Sequence, residues 1–397
     1  MKEELTRIES PLLEVDRALL DAEEKTRLFY HLNPVNDEVE RKRYMEHPGK
    51  GSVPCFEYRP LSFSPRELLG RLEAVEIGPG ANEDAGSLLR RKRDELVLTV
   101  KLLDARGSPD FLEYSKQLFG VPTPDLVRIA ERLLKLPVES ASRDIDAVTA
   151  RRMLEEHVLT YRRRYGDFPC QIILEPHLSS TMYVNGDVIR IKSGTRLSRA
   201  ALRCDIHHEI DTHVLTHLNG RQQPLGIFGS GLAGGHAFGE SLAIFAEIGS
   251  GAFFAGRRTG LVARIVAVDR MVRGESFNDI YARLVEQFGM PSGDAYTVCQ
   301  RVFRGGGFTK DWVYLSRLWD IFCLWARGDD MSRLFLGKVS PEDSGRVERL
   351  LMAGMLRPPR YMPGYLERMA VKKDDKKVQA LLESGDSGLE GMLVHPF

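Results

Sequence analysis

The sequence predicts a mainly helical α+β protein with a small antiparallel sheet, on three observations. Amphipathic stretches with a period near 3.6 recur over residues 12–166 and again over 237–355. Between them the period changes to short β-like runs at 170–174, 181–184 and 188–191. The last two runs flank Asn185-Gly186, a pair in which both residues tolerate positive φ and so mark a tight hairpin.

Taken in order, helices are expected at 13–30, 65–75, 85–103, 110–119 and 125–134, separated by loops rich in Pro and Gly. Residues 142–164 read as a longer helix with Ile145, Val148, Met153, Val158 and Leu159 near one face. After the hairpin, Ser198 is placed to cap a helix and Asn219-Gly220 to end it. They bracket RAALRCDIHHEIDTHVLTHL, with apolar Leu202, Ile206, Ile210 and Val214. A glycine-rich loop follows, then helices at 237–248, 260–272, 277–288, 294–303, 310–326 and 341–355. There is no internal repeat. The tail, with Lys372-Lys373-Asp374-Asp375-Lys376-Lys377, is expected to be solvated.

Composition narrows the function. With 43% apolar and 28% charged residues the chain has the makings of a packed core, unlike a disordered polymer. Lys plus Arg and Asp plus Glu each number 56, so no global basic field draws the protein to nucleic acid. Cys55, Cys170, Cys204, Cys299 and Cys323 are scattered, odd in number and never in a CxxC pair, which argues against a disulfide framework or a thiolate zinc site. The N-terminal MKEELTRIESPLLEVD carries charge where a secretory leader needs an apolar run, so a cytoplasmic protein is expected. The one long weakly polar window, 226–256, contains His236, Glu240 and Glu247. A membrane-centred acidic residue costs about 2.5–3.5 kcal/mol, so no membrane span is expected there.

Chemistry concentrates in His207-His208-Glu209-Ile210-Asp211-Thr212-His213, with His217 one turn later. Imidazole and carboxylate are the ligands of a catalytic zinc, and a glutamate beside the first ligand is placed to take a proton from water. The usual helical signature, HExxH, stacks its histidines at i and i+4. Here the second histidine is at i+5. At ~100° per residue, five steps leave His208 and His213 roughly 140° apart, so they share an ion only if a π-bulge widens the helix. A second set, Glu209, His213 and His217, shares a face of a regular helix but leaves no glutamate beside the first ligand. A third reading places the histidines on a solvated face with no ligand role. Glu240, 27 residues past His213 among apolar neighbours, is the candidate third ligand. Glu247, two turns further on, could hold a ligating histidine in place, and His236 is a weaker alternative ligand.

These residues resemble the zinc metallopeptidase family that includes the animal microtubule-associated tyrosine carboxypeptidases and bacterial proteins named for a QEGLA motif. The matching positions are His208, Glu209 and His213 of an HExxxH motif, Asn219-Gly220, Glu240-Ser241-Leu242-Ala243, Cys299-Gln300-Arg301-Val302-Phe303-Arg304-Gly305-Gly306 and Phe308-Thr309-Lys310-Asp311. The resemblance covers residues 161–365 well and the preceding helices loosely. It implies a zincin-like fold, one zinc per chain held by His208, His213 and Glu240, and Glu209 as catalytic acid and base, which favours the bulged helix. It also implies an N-terminal helical region at 1–160, a catalytic region at 161–365 and a tail at 366–397. Gly239 stands where the family has Gln and Ser241 where it has Gly, which points to altered substrate contacts beside Glu240. Animal members remove the C-terminal tyrosine of α-tubulin, but this chain lacks a long basic extension to grip acidic microtubules, and that substrate is not carried over.

Two further signals complete the reading. Gly229-Ser230-Gly231-Leu232-Ala233-Gly234 matches GxGxxG, but no strand-helix-strand pattern surrounds it, so nucleotide binding is disfavoured. Arg301, Arg304 and Lys310 surround three glycines and serve either as helix-end caps or as a clamp for a substrate carboxylate. The expected function is a zinc-dependent metallopeptidase, a hydrolase that removes a C-terminal residue from a peptide or protein. The alternatives are a non-catalytic zinc-binding or interaction protein, with His236 closing the fourth position, and an endopeptidase or amidase with the same site.

Overall fold

The computed structural model describes residues 8–50, 53–78, 82–138, 141–178, 180–372, 375–385 and 388–396. The first seven residues, part of the stretch read against a secretory leader, lie outside these, as do Lys373 and Asp374 of the charged tail. The mainly helical α+β class holds. Side-chain caps start several helices where the sequence offers them: Ser64, Asn82, Thr123, Asp146 and Ser198 each accept from the backbone N–H three residues on.

The differences have physical causes. The first expected helix is divided into Ser10–Thr26 and Leu28–Leu32, because Arg27 adopts φ 30° between them. Asp37–Glu46 is helical though no apolar stripe announces it; only Glu40 and Tyr44 are buried. In Ala147–Tyr165 the buried face is Ala147, Ala150, Leu154, Val158 and Tyr161, whereas Val148 and Leu159 point outward. Two alanines supply that face, so it is weaker in hydrophobicity than the misaligned large residues around it. The tail is not solvated throughout: Lys376–Glu383 and Gly388–Val394 bury Val378, Leu389, Met392 and Leu393 in the main core.

The hairpin forms as Met182–Asn185 antiparallel to Val188–Lys192, one residue later than expected. Asn185 pairs with Val188, leaving Gly186-Asp187 as the loop, and Gly186 alone takes a positive φ, of 64°. Gln171–Glu175 adds to the other side of Val188–Lys192 in parallel, so the three-stranded sheet is mixed. Ile145–Asp146 and Arg196–Leu197 form a separate antiparallel pair.

The largest apolar cluster joins the sheet, through Ile172, Ile189 and Ile191, to the helix predicted from 198 to 220. All four apolar positions read from that helix, Leu202, Ile206, Ile210 and Val214, are buried in it. Gly220 ends the helix where a side chain has no room, since a Cβ there would collide with the Phe228 backbone. Two smaller clusters gather the Ser10–Thr26 and Glu83–Asp104 helices and the surroundings of Phe111 and Phe308. Helices, not a strand, lie immediately before the Gly229–Gly234 run, and among the described residues no helix is long and apolar enough to cross a membrane.

Candidate active site

The helix that carries the histidines has three parts. Arg199–His208 is α-helical, Glu209–Val214 is π-helical and Leu215–Gly220 resumes the α form. The widened turn bonds residues five apart, as Leu215 N–H to Ile210 carbonyl illustrates, and so stacks His208 over His213. Their ring centroids are 4.8 Å apart. The angular argument from the sequence thus has its structural counterpart. Thr216 Oγ1 donates to the Thr212 carbonyl at 2.7 Å, adding a side-chain bond at the end of the widened turn.

Glu240, on the Gly235–Gly249 helix, meets both imidazoles with one oxygen: its Oε2 lies 3.4 Å from His208 Nε2 and 3.7 Å from His213 Nε2. Two ligands about 2.1 Å from a tetrahedral zinc stand about 3.4 Å apart, so this spacing is that of groups sharing an ion. The same Oε2 is buried and has no hydrogen-bond partner, which an ion would supply. Glu209 belongs to the same cluster, with a carboxylate oxygen within 4.8 Å of a ring nitrogen of both His208 and His213. The donor set and the orphaned oxygen therefore fit a divalent cation.

The surrounding charges are ordered. Glu247, fully buried, pairs through Oε1 with His208 Nδ1 at 2.8 Å, and Arg257 grips the same carboxylate at 2.6 and 3.0 Å. Burial opposes the Glu247 charge, but Arg257 and His208 hold its pKa at about 2. Burial pushes His213 down to about 4, keeping the imidazole neutral as a ligand must be. Burial also raises the Glu209 carboxyl above its ordinary range, against the pull of His208. The regular-helix set is not assembled, because His217 Nδ1 bonds the Gly229 carbonyl at 3.0 Å. His236 faces Glu23 instead, 3.7 Å away.

The three cations read from the sequence are all near, and two of them hold short ion pairs. Lys310 Nζ donates to Glu240 Oε1 at 2.7 Å, and Arg301 forms a two-point pair with buried Asp311, one arm at 2.8 Å. Arg304 donates to Asn33 Oδ1 at 3.0 Å, while its buried Nε and Nη2 have no hydrogen bond. Arg264, which the sequence reading passed over, joins them: Arg264 and Lys310 each lie 5.2 Å from the Tyr314 ring centroid, and that ring is 6.4 Å from the His208 ring. Burial pushes both Arg264 and Arg304 down to about 10. Arg257 and Arg264 are seven apart on one helix, Ala255–Val272, and flank the apolar run Gly260–Ala263 with Ile265–Val268 beyond; that spacing was the signal available. Ser241 is buried and turns inward, donating to the Val313 carbonyl at 2.7 Å, so the hydroxyl that stands in place of the family's Gly ties two helices together.

Removing one partner of the Arg301–Asp311 pair strands charge in the interior. Asp311→Asn is expected to destabilise the fold by about 3 kcal/mol, the low end for a buried pair because Arg301 keeps 26% exposure. Arg301 holds the Asp311 pKa below its ordinary value despite burial, so this contribution is present above the unfolded carboxylate pKa and lost only as pH falls through the folded one. Urea unfolding at about pH 8 and about pH 5 should therefore give the same penalty, both lying above the unfolded value of ~3.9.

A mainly helical α+β fold carrying paired histidines and two glutamates on packed helices defines a hydrolase class of site. A sequence model of the microtubule-associated tyrosine carboxypeptidase family matches residues 42–380, most of the chain. The chain belongs to this family and is a carboxypeptidase-type peptidase. No curated protein matches it.

Proposed function

We propose that the protein is a zinc-dependent carboxypeptidase that removes a C-terminal residue from a peptide or protein. One observation carries the reading: the unbonded Glu240 Oε2 stands at ion-sharing distance from both His208 Nε2 and His213 Nε2, with Glu209 alongside. His208, His213 and Glu240 hold the ion, one per chain, and Glu247 fixes the His208 ring through Nδ1. A zinc ion bound there would act as a Lewis acid on the scissile carbonyl and increase the acidity of water. Glu209, its pKa raised by burial, takes a proton from the attacking water and delivers it to the leaving amine. The Met182–Asn185 strand, at the sheet edge and against the π-helical turn, supports alignment of an extended substrate by strand pairing. The five cysteines are free thiols, in keeping with a cytoplasmic setting.

Exopeptidase direction is supported by charge. Among the described residues, the carboxylates that act most strongly on Arg264, Arg301, Arg304 and Lys310 are Asp311 and Glu240, so an anionic group would improve the balance. The terminal carboxylate of a substrate is such a group, and an arginine can hold it by two hydrogen bonds. Arg301 and Lys310 hold short ion pairs, whereas Arg304 Nη2 stands 3.9 Å from Asp311 Oδ1 and makes no hydrogen bond, so Arg304 and Arg264 are the cations better placed to offer donors to a substrate. A charge-assisted hydrogen bond contributes roughly 1.5–3 kcal/mol, so Arg264→Ala or Arg304→Ala should lower kcat/KM by about 10- to 150-fold. Amidated peptides should be comparably poor substrates for the intact enzyme. Mass spectrometry of a peptide library incubated with zinc-loaded protein tests this. Equal cleavage of amidated and free-acid peptides, or cuts deep within the chain, would replace the carboxypeptidase with an endopeptidase of the same chemistry.

A further inference from the structure

Beside the paired histidines on the same helix, a second cluster of imidazole and carboxylate surrounds Asp211. Asp211 is 2% exposed and lies within the π-helical turn, between His208 and His213 in sequence. Its Oδ1 accepts from His157 Nε2 at 2.6 Å and from Tyr161 Oη at 2.8 Å, and its Oδ2 meets His207 Nδ1 at 2.7 Å. These separations are too short for two ligands of one zinc ion, which stand about 3.4 Å apart, and are those of charge-assisted hydrogen bonds. The cluster is therefore a network of bonded side chains and not a second metal centre.

Its placement gives it a task. His157 and Tyr161 are four apart on one face of Ala147–Tyr165, a helix separate from the one they bind. Together with His207, one turn earlier on the active-site helix, they tie Asp211 from two directions at the point where the helix must hold one extra residue. A π-turn exchanges the ordinary i to i−4 bonding for a looser arrangement and persists where surrounding contacts select it. Without the widened turn His208 and His213 return to roughly 140° apart on an ideal helix and lose their common target.

We propose that Asp211, clamped by His157, Tyr161 and His207, is a positioning residue that holds the π-turn in register and thereby aims His208 and His213 at one ion. The inference rests on the metal reading above. Its mechanism is local: the carboxylate contributes no ligand and no proton to the reaction, and a break in the clamp acts through the angle between the two imidazoles.

The test uses the full chain with Co2+ as the probe, whose visible absorption reports coordination geometry. Asp211→Asn and His157→Ala should alter the band shape and weaken Co2+ binding by about tenfold or more, the size seen when groups that orient ligands are lost. His157 is partly exposed, so its substitution spares the fold more than a change at Asp211 does. His157→Gln, whose amide N–H can still donate to Asp211, should restore the wild-type spectrum. If His157→Ala and Asp211→Asn lower only the melting temperature and leave spectrum and affinity unchanged, the positioning role is overturned. Hydrogen exchange of the Glu209–Val214 amides in metal-free protein separates this from failure of the metal reading. Should the wild type take up no Co2+, the metal reading falls, and unchanged exchange in His157→Ala then overturns the clamp as well.

Discussion

Replacing Glu209 with glutamine is expected to leave the metal content unchanged and to lower kcat by about 10²- to 10⁴-fold, the usual contribution of a general acid and base. The amide matches the carboxylate in size, so the packing of the π-helical turn is preserved. It cannot accept the proton of an attacking water. Substrate contacts are retained, so KM should change little and the deficit should lie in kcat. Burial raises the Glu209 pKa, which brings the carboxylate closer to the working pH and makes it a better match for reversible proton transfer. Steady-state kinetics beside metal analysis of the same preparation check the prediction. Near-normal turnover would remove Glu209 from the mechanism.

Substituting His208 or Glu240 by alanine is expected to abolish stoichiometric zinc binding, while His217→Ala keeps it. An open catalytic site has three protein ligands, and losing one leaves the ion two. Glu240→Ala has a second consequence, because it deprives Lys310, 4% exposed, of the carboxylate it hydrogen-bonds at 2.7 Å. His217 is tied to the Gly229 carbonyl and packs beside Gly186, so its removal touches neither imidazole nor Glu240. Metal analysis of the three purified variants decides between the two ligand sets. Retention in His208→Ala and Glu240→Ala with loss in His217→Ala would reinstate the regular-helix set of Glu209, His213 and His217.

Much of this was legible in the linear chain, for identifiable reasons. The apolar positions Leu202, Ile206, Ile210 and Val214 lie close enough to helical spacing to show the buried face of the active-site helix. Ser198 and Gly220 marked its ends, one as a side-chain cap and one as a site of close backbone approach. The five-residue step from His208 to His213 required a widened turn, because angular spacing along a helix is a local property of the backbone. Other features were hidden because their signal was weak locally. The buried face of Ala147–Tyr165 rests partly on alanines, and the Asp37–Glu46 helix buries two residues only.

The sequence by itself determined the helical character, the hairpin and the chemical types gathered on one helix, since each depends on neighbours within a few residues. Tertiary structure alone decided which charges are committed and which are spare. Arg301 and Lys310 read in the chain as helix-end caps or a carboxylate clamp but meet Asp311 and Glu240, 10 and 70 positions away. Arg304 pairs with Asp311 only loosely, at 3.9 Å, and Asp211 is reached by His157 and Tyr161 from a helix about 50 residues earlier. Pairing of this kind is set by the fold's long-range contacts and by the cost of burying an uncompensated charge, neither of which has a period or spacing that a linear reading can detect.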